Sequence, residues 1–286
     1  MFKYAMPAAI AIFIIGFVAC ETLDKSNPLT PDSLKRVSIG NYAVGINSDN
    51  PHDSIGMYHN SALNFAFRKS ISDTGNQQNF QASFIAALED WKDSINLYST
   101  DWIPAISDAK DTVDNNLNRD WADYLENFSD VANYTAKELY YINRMGALGS
   151  NCSNAQEVED SILAIETDIC NDSFNTDERA AQVGISVMKH SFYYWSYLAG
   201  EDYLAKSTEN LPDWLQVVFA DVGGAIVGTY SFGFPYGTIS GGVLTSGYWA
   251  IRNYWDELGT WISDSVHTVG GILESGLEAV IDWLFG

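Results

Sequence analysis

The chain has four histidines and three cysteines in 286 residues, and only one stretch gathers such groups densely enough for chemistry. It runs Asn50-Pro51-His52-Asp53-Ser54-Ile55-Gly56-Met57-Tyr58-His59-Asn60-Ser61-Ala62-Leu63. His59 together with His52 or Asp53 has the atoms for a metal site or an acid–base pair, with Asn60 as a polar neighbour. The spacing argues for a quieter role. A helix starting at Asp53 sets His59 on the apolar face with Ile55, Ala62, Leu63 and Ala66, while His52 precedes the helix. No His-Glu-x-x-His pattern or clustered Cys/His spacing accompanies it. His59 therefore reads as a core histidine hydrogen-bonded to a neighbouring helix, and Asn60 as a cap or a brace for a loop. Asp53, His59 and Asn60 form the candidate site, with no catalytic residue, metal or cofactor assigned.

Other chemistries find less support. His190 and His267 stand alone in the sequence and read as structural or exposed. With 37 acidic residues, any nearby carboxylate pair is expected by chance, so a glycosidase-like acid pair is not argued. There is no Gly-x-Ser-x-Gly elbow, Walker loop or dinucleotide fingerprint. Phe192, Tyr193, Tyr194, Trp195, Tyr197 and Tyr203 could stack on sugars, but aromatics at helical spacing are more often core.

The elements that must position these residues are all helical. Ile55, Tyr58, His59, Ala62, Leu63, Ala66 and Phe67 predict a helix over 53–69, with Asp53 as N-cap and Arg68 and Lys69 at its end. Further helices are predicted over 79–98, 103–117, 120–148, 155–169 and 176–198, the last with Thr176 as N-cap. Pro212 suits the first turn of a helix carrying Trp214, Leu215, Val218 and Phe219. At the carboxyl end, Ile262, Val266, Val269, Leu273, Leu277, Val280, Ile281 and Leu284 form one stripe. No strand run or fixed-period repeat emerges. The expectation is an all-α, multi-helix bundle of about eight helices, with a glycine-rich helical hairpin near the carboxyl terminus. Its divisions are a leader over 1–20, a flexible tether over 21–50, an amino-terminal bundle over 51–200, and a hairpin with an amphipathic helix over 201–286, packed on the bundle.

The Asn50–Leu63 stretch resembles a segment of exported proteins of Bacteroidota that carry Asn-Pro-x-Asp followed by Ile/Val-Gly-x-x-His-Asn-x-x-Leu. Those proteins often have a later Ala-Asp-x-x-Gly-Ala run, and Ala220-Asp221-Val222-Gly223-Gly224-Ala225 stands in its place here. The resemblance covers about twenty residues and brings no catalytic role. Export is also read from the start of the chain. Lys3 gives a basic n-region, and residues 8–18 form an apolar h-region too short for a comfortable span. The segment ends Phe17-Val18-Ala19-Cys20, which resembles a bacterial lipobox, although Phe17 replaces the usual Leu. Cys20 is the expected lipidation site, anchoring the protein at the cell envelope, with the outer membrane as the expected location. An ordinary signal peptide with a chance cysteine is the alternative.

With 15 basic against 37 acidic residues and a formal net charge of −22, the chain repels nucleic acid and anionic lipid head groups. Cys152 and Cys170 form an even pair for which export permits a disulfide. The helix over 155–169 opposes it: fifteen helical residues span about 22 Å, whereas bridged Cα atoms lie within about 7 Å.

Between Asp221 and Arg252 lie thirty residues without a charge, eight of them glycine. Ala220, Gly224 and Gly228, and then Gly237, Gly241 and Thr245, recur every fourth position, the spacing of a helix face that lets two backbones approach. About six glycines within helices cost roughly 0.5–1 kcal/mol each relative to alanine, and close packing can offset that loss. A hairpin turning at Phe234-Pro235-Tyr236-Gly237 is the preferred reading, ahead of membrane insertion and a flexible loop. The function expected is that of a membrane-tethered lipoprotein working as a non-enzymatic interaction module for a protein or glycan. The alternative is a pore-forming or bacteriocin-like protein that uses the 214–251 hairpin.

Overall fold

Helix α7 (Ala180–Leu198) is the element around which the others pack. Sixteen of its nineteen residues are buried, including Lys189, His190, Phe192 and Trp195. A helix apolar on every side has to be surrounded. The computed structural model describes residues 46–73, 77–94, 120–128, 133–175, 177–199, 211–231, 233–255 and 258. In chain order, the other helices are α1 (Ser54–Asp73), α2 (Gln77–Ser94), α3 (Trp121–Glu126), α4 (Ala136–Gly146), α5 (Leu148–Asn151), α6 (Ala155–Asn171), α8 (Leu215–Ser231) and α9 (Tyr236–Asn253). The described residues contain no strand, and the body is all-α. Helices α1, α4, α6 and α8 pack on α7, α9 packs on α8, α1 and α2, and α3 closes against α4 and α8.

Several boundaries differ from the sequence expectation for identifiable reasons. Helix α1 continues past Arg68 and Lys69 to Asp73, since two basic residues favour a helix C-terminus without ending it. The single helix expected over 120–148 is three. Asn127 ends α3, and Thr135 starts α4 afresh with a reciprocal capping box to Glu138. The expected N-cap Thr176 lies outside the described residues, as do the helix over 103–117, Tyr203, His267, Cys20 and the carboxyl-terminal stripe. Helix α7 starts at Ala180 behind Arg179, which makes no side-chain cap. The cap comes from another helix: the Ala180 N–H donates to Glu138 Oε1 at 3.0 Å. Glu138 also accepts from the Thr135 N–H and from Tyr230 Oη. One buried carboxylate thus joins α4, α7 and α8.

Helices α8 and α9 run antiparallel with almost nothing between them. A Cβ added at Gly228 would stand 2.0 Å from the Gly237 carbonyl oxygen, and one at Gly224 would stand 2.3 Å from that of Gly241. Thr229 and Thr238 hydroxyls meet at 2.8 Å across the same seam. Gly233 supplies the positive φ of the turn, and the Gly237 N–H donates back to its carbonyl. An edge-to-face series, Trp121–Tyr124–Phe128–Tyr134–Tyr230, runs from α3 to α8 with centroids 4.8–5.5 Å apart. Among the described residues, no helix is long and apolar enough to cross a membrane.

Candidate functional site: two buried ionic clusters

The Asn50–Leu63 stretch lies along α7 as a ladder of polar contacts. Asn50 donates through Nδ2 to the Gln182 carbonyl at 3.0 Å, and its own carbonyl and Oδ1 accept from the Asp53 and His52 N–H groups. Ser186, one turn along α7, donates its hydroxyl to the Asp53 carbonyl at 2.7 Å and accepts from the Gly56 N–H at 3.0 Å. A Cβ at Gly56 would fall 2.5 Å from the Ser186 carbonyl oxygen, so only glycine lets α1 lie this close. Asn60 donates through Nδ2 to the His190 carbonyl at 2.8 Å, bracing the next turn of α7. The fold begins before Pro51, because Asn50 is buried and the Asn47 N–H donates to Asp53 Oδ2 at 2.6 Å.

His59 and Asp53 belong to separate clusters. His59 Nε2 lies 2.8 Å from Asp221 Oδ1, and both side chains are fully buried. The other ring nitrogen, Nδ1, is 3.0 Å from Asn60 Oδ1, and that oxygen is identified because Nδ2 is committed to the His190 carbonyl. Both nitrogens therefore face acceptors, the arrangement of a doubly protonated imidazolium ring. Burial alone lowers the His59 pKa, but the Asp221 charge, its hydrogen bond and those from Asn60 and Gly242 outweigh it and hold the value above 6.5. Asp221 is completed by Trp195, whose indole N–H donates to Oδ2 at 2.8 Å. Gly242 of α9 presses on the imidazole, since a Cβ there would stand 2.8 Å from His59 Cδ2. The two motif segments, far apart in sequence, are joined by this pair.

The second cluster centres on Lys189. Its ammonium lies 2.8 Å from Asp53 Oδ1, 2.9 Å from Asp53 Oδ2 and 2.6 Å from Glu166 Oε1. His190 Nε2 approaches Asp53 Oδ1 at 3.4 Å. The Lys189 side chain is 2% exposed and that of Glu166 7%, so the group is sealed from water. Burial raises the Asp53 pKa, but hydrogen bonds and charge from His190 and Lys189 bring it below 3.8. Burial and the Asp53 charge raise that of Glu166 above 4.5 despite Lys189.

The remaining sequence candidates separate. His52 packs edge-on against Phe234 at 5.0 Å, and burial and the Arg179 charge lower its pKa. It does not join His59 or Asp53. No group of three or more His, Cys, Asp or Glu side chains among the described residues could hold a metal ion. Cys152 precedes α6 and Cys170 lies in its last turn, both as free thiols, so the permitted disulfide does not form. The length of α6 keeps them apart, and Cys170 accepts from Asn47 Nδ2. Burial and the Glu166 and Asp49 charges push the Cys170 thiol up to about 11. Phe192, Tyr194 and Trp195 are core, which removes them from any sugar platform.

Glu166 and Lys189 were not singled out by the sequence, and Asp221 entered only as part of a resemblance and as the boundary of the uncharged run. A signal was present: a lone Lys in the apolar run 180–198, and a lone Asp heading a thirty-residue uncharged run, each require a buried counter-charge. A scan against family models and searches of curated proteins and solved structures find no match to this chain.

Proposed function

We propose that the protein is a membrane-tethered α-helical lipoprotein, anchored through Cys20 at the outer membrane of the cell envelope, whose body binds a protein or glycan partner without turning it over. The observation that carries this reading is the burial of the motif chemistry. His59 and Asp221 are 0% exposed, so the groups most suited to acid–base work hold helices together instead of facing a bound molecule. The resemblance of the same two segments to exported proteins of Bacteroidota supports the location. Recognition then falls to the surface. Tyr140 on α4 is 57% exposed, with the Arg144 guanidinium 5.5 Å from its ring and the Asp168 carboxylate 2.7 Å from Arg144. An aromatic face beside a guanidinium and a carboxylate can stack on and hydrogen-bond a sugar or a peptide.

Globomycin should block processing of the full-length precursor, and Cys20→Ser should abolish lipidation. Processing that proceeds unchanged under both conditions removes the anchor. The unlipidated chain should leave dye-loaded vesicles intact, because insertion of α8 and α9 would part Asp221 from His59 of α1 and carry its carboxylate into lipid. Rapid leakage would establish the pore-forming alternative. In a glycan array and in titration with the bound sugar or peptide, Tyr140→Ala should weaken binding at least tenfold. Unchanged binding would move the contact elsewhere.

A further inference from the structure

A buried charge costs several kcal/mol of desolvation, and an apolar side chain of similar volume would fill the place of Lys189 without it. Two carboxylates converge on this ammonium, one more than charge balance requires. Its nitrogen touches both oxygens of Asp53 at 2.8 and 2.9 Å, which brings it against the carboxyl carbon between them. Glu166 Oε1 reaches the same nitrogen at 2.6 Å. A nucleophile, an electrophile and a proton-accepting group are thus preassembled in a site closed to water.

We propose that Lys189 and Asp53 condense within the folded chain into an intramolecular isopeptide bond between α7 and the start of α1, with Glu166 as the catalytic base. The reaction begins as a proton transfer inside the ion pair. Lys189 passes one proton to Asp53 Oδ2, giving a neutral amine and a neutral acid; burial favours this uncharged form, which arises against the His190 and Lys189 contacts that hold Asp53 ionised. The Nζ lone pair adds to Asp53 Cγ, and the carbonyl electrons move onto Oδ1, beside His190 Nε2 at 3.4 Å. The Glu166 carboxylate removes a second proton from Nζ and returns it to the Oδ2 hydroxyl, and the C–O bond breaks as water leaves. Its raised proton affinity suits it to that task. Ammonium plus carboxylate becomes amide plus water, nothing is oxidised or reduced, and no co-reactant is needed. Held geometry replaces the activation that such a condensation needs in water. The bond removes one positive and one negative charge from the interior and closes a loop between positions 136 apart.

Intact-mass spectrometry of the purified, folded chain decides the matter. The expected mass is one water below that of the processed sequence, and protease digestion should release a branched peptide joining Lys189 to Asp53. A full mass after prolonged incubation of the folded protein, or a water loss that maps to other residues, overturns the proposal. Glu166→Gln should fold, judged by helical circular dichroism, and keep its full mass. A branched peptide in that variant would remove Glu166 from the mechanism. Lys189→Met should also keep its full mass. If either variant fails to fold, the wild-type mass and the branched peptide still decide whether the bond exists.

Discussion

Replacing Asp221 with asparagine tests the charge that joins the two sequence motifs. The side chain keeps its size, but one amide oxygen must now serve two donors, His59 Nε2–H and the Trp195 indole N–H, each 2.8 Å from the native carboxylate. The amide nitrogen faces whichever donor is left. A hydrogen bond to a charged group contributes about 1.5–3 kcal/mol, and a buried donor left without a partner costs about 1–3 kcal/mol. Breaking a buried ion pair by removing one partner costs about 3–5 kcal/mol. His59 can shed its proton in response, so the expected loss is about 3 kcal/mol, a large share of the roughly 5–15 kcal/mol that holds a domain together. For a body of this size that lowers Tm by about 6–12 °C. The measurement is urea denaturation followed by tryptophan fluorescence, with calorimetry alongside, buffered just below the ordinary imidazole value of 6.5. Trp195 sits on the altered group, so its emission should shift even in the folded variant. A loss below about 1 kcal/mol would refute the reasoning, because changes near that size arise at surface positions with no ion pair.

Four further outcomes follow from the same geometry. The His59 contribution should be complete below 6.5 and fade as pH rises through its raised folded value, while Asp221→Asn flattens that slope; equal slopes in titration calorimetry would place the proton elsewhere. In Glu166→Gln, where Asp53 stays a carboxylate, its contribution should disappear as pH falls through its lowered folded value, which sits beneath 3.8, and an acid titration of that variant's stability reads it. Gly228→Ala drives a methyl group to 2.0 Å from the Gly237 carbonyl oxygen and should cost about 3 kcal/mol or more by overpacking, whereas Gly233→Ala meets only its backbone strain of about 1–2 kcal/mol; similar urea midpoints for the two would contradict the seam. Glu138→Ala removes acceptors for Thr135, Ala180 and Tyr230 and should cost about 2–4 kcal/mol, with hydrogen exchange accelerated first at the start of α7; protection unchanged there would mean that α7 is capped otherwise.

The helices were legible because apolar spacing reports a local period. Ile55, Ala62, Leu63, Ala66 and Phe67 mark the buried face of α1, and Val158, Ile162, Ile165 and Ile169 mark that of α6. The break between Trp121 and Leu148 was harder to read, because Leu125, Phe128, Leu139 and Ile142 keep helical spacing across an interruption set by the Thr135–Glu138 capping box. His59 was legible as a core histidine that bonds another helix, since an imidazole on an apolar face must find an acceptor. Its partner was not, because which of 37 acidic residues meets it depends on how α8 crosses α1. The same holds for Lys189: its burial follows from its neighbours in sequence, while Asp53 and Glu166 reach it only through tertiary packing. Glu138 shows the limit most plainly, since a capping-box residue gives no hint that it also caps a helix beginning more than forty positions later.

The ladder between α1 and α7 has a consequence for how the chain is made. A ribosome completes α1 long before it reaches Lys189, 136 positions beyond Asp53, and Asp221 is made later still. Until then Asp53 and His59 belong to a helix that meets α2, through pairs such as Phe67 and Phe84, but has neither of their counter-charges, and native contacts of such long range close slowly. The body cannot mature from its amino end, domain by domain. The pairing of His59 waits until α8 has been delivered. A chain terminated before Asp221 would present an unmatched histidine and an apolar stripe, a form open to aggregation and proteolysis. The late arrival of one carboxylate makes completion of the chain a condition for burying its beginning.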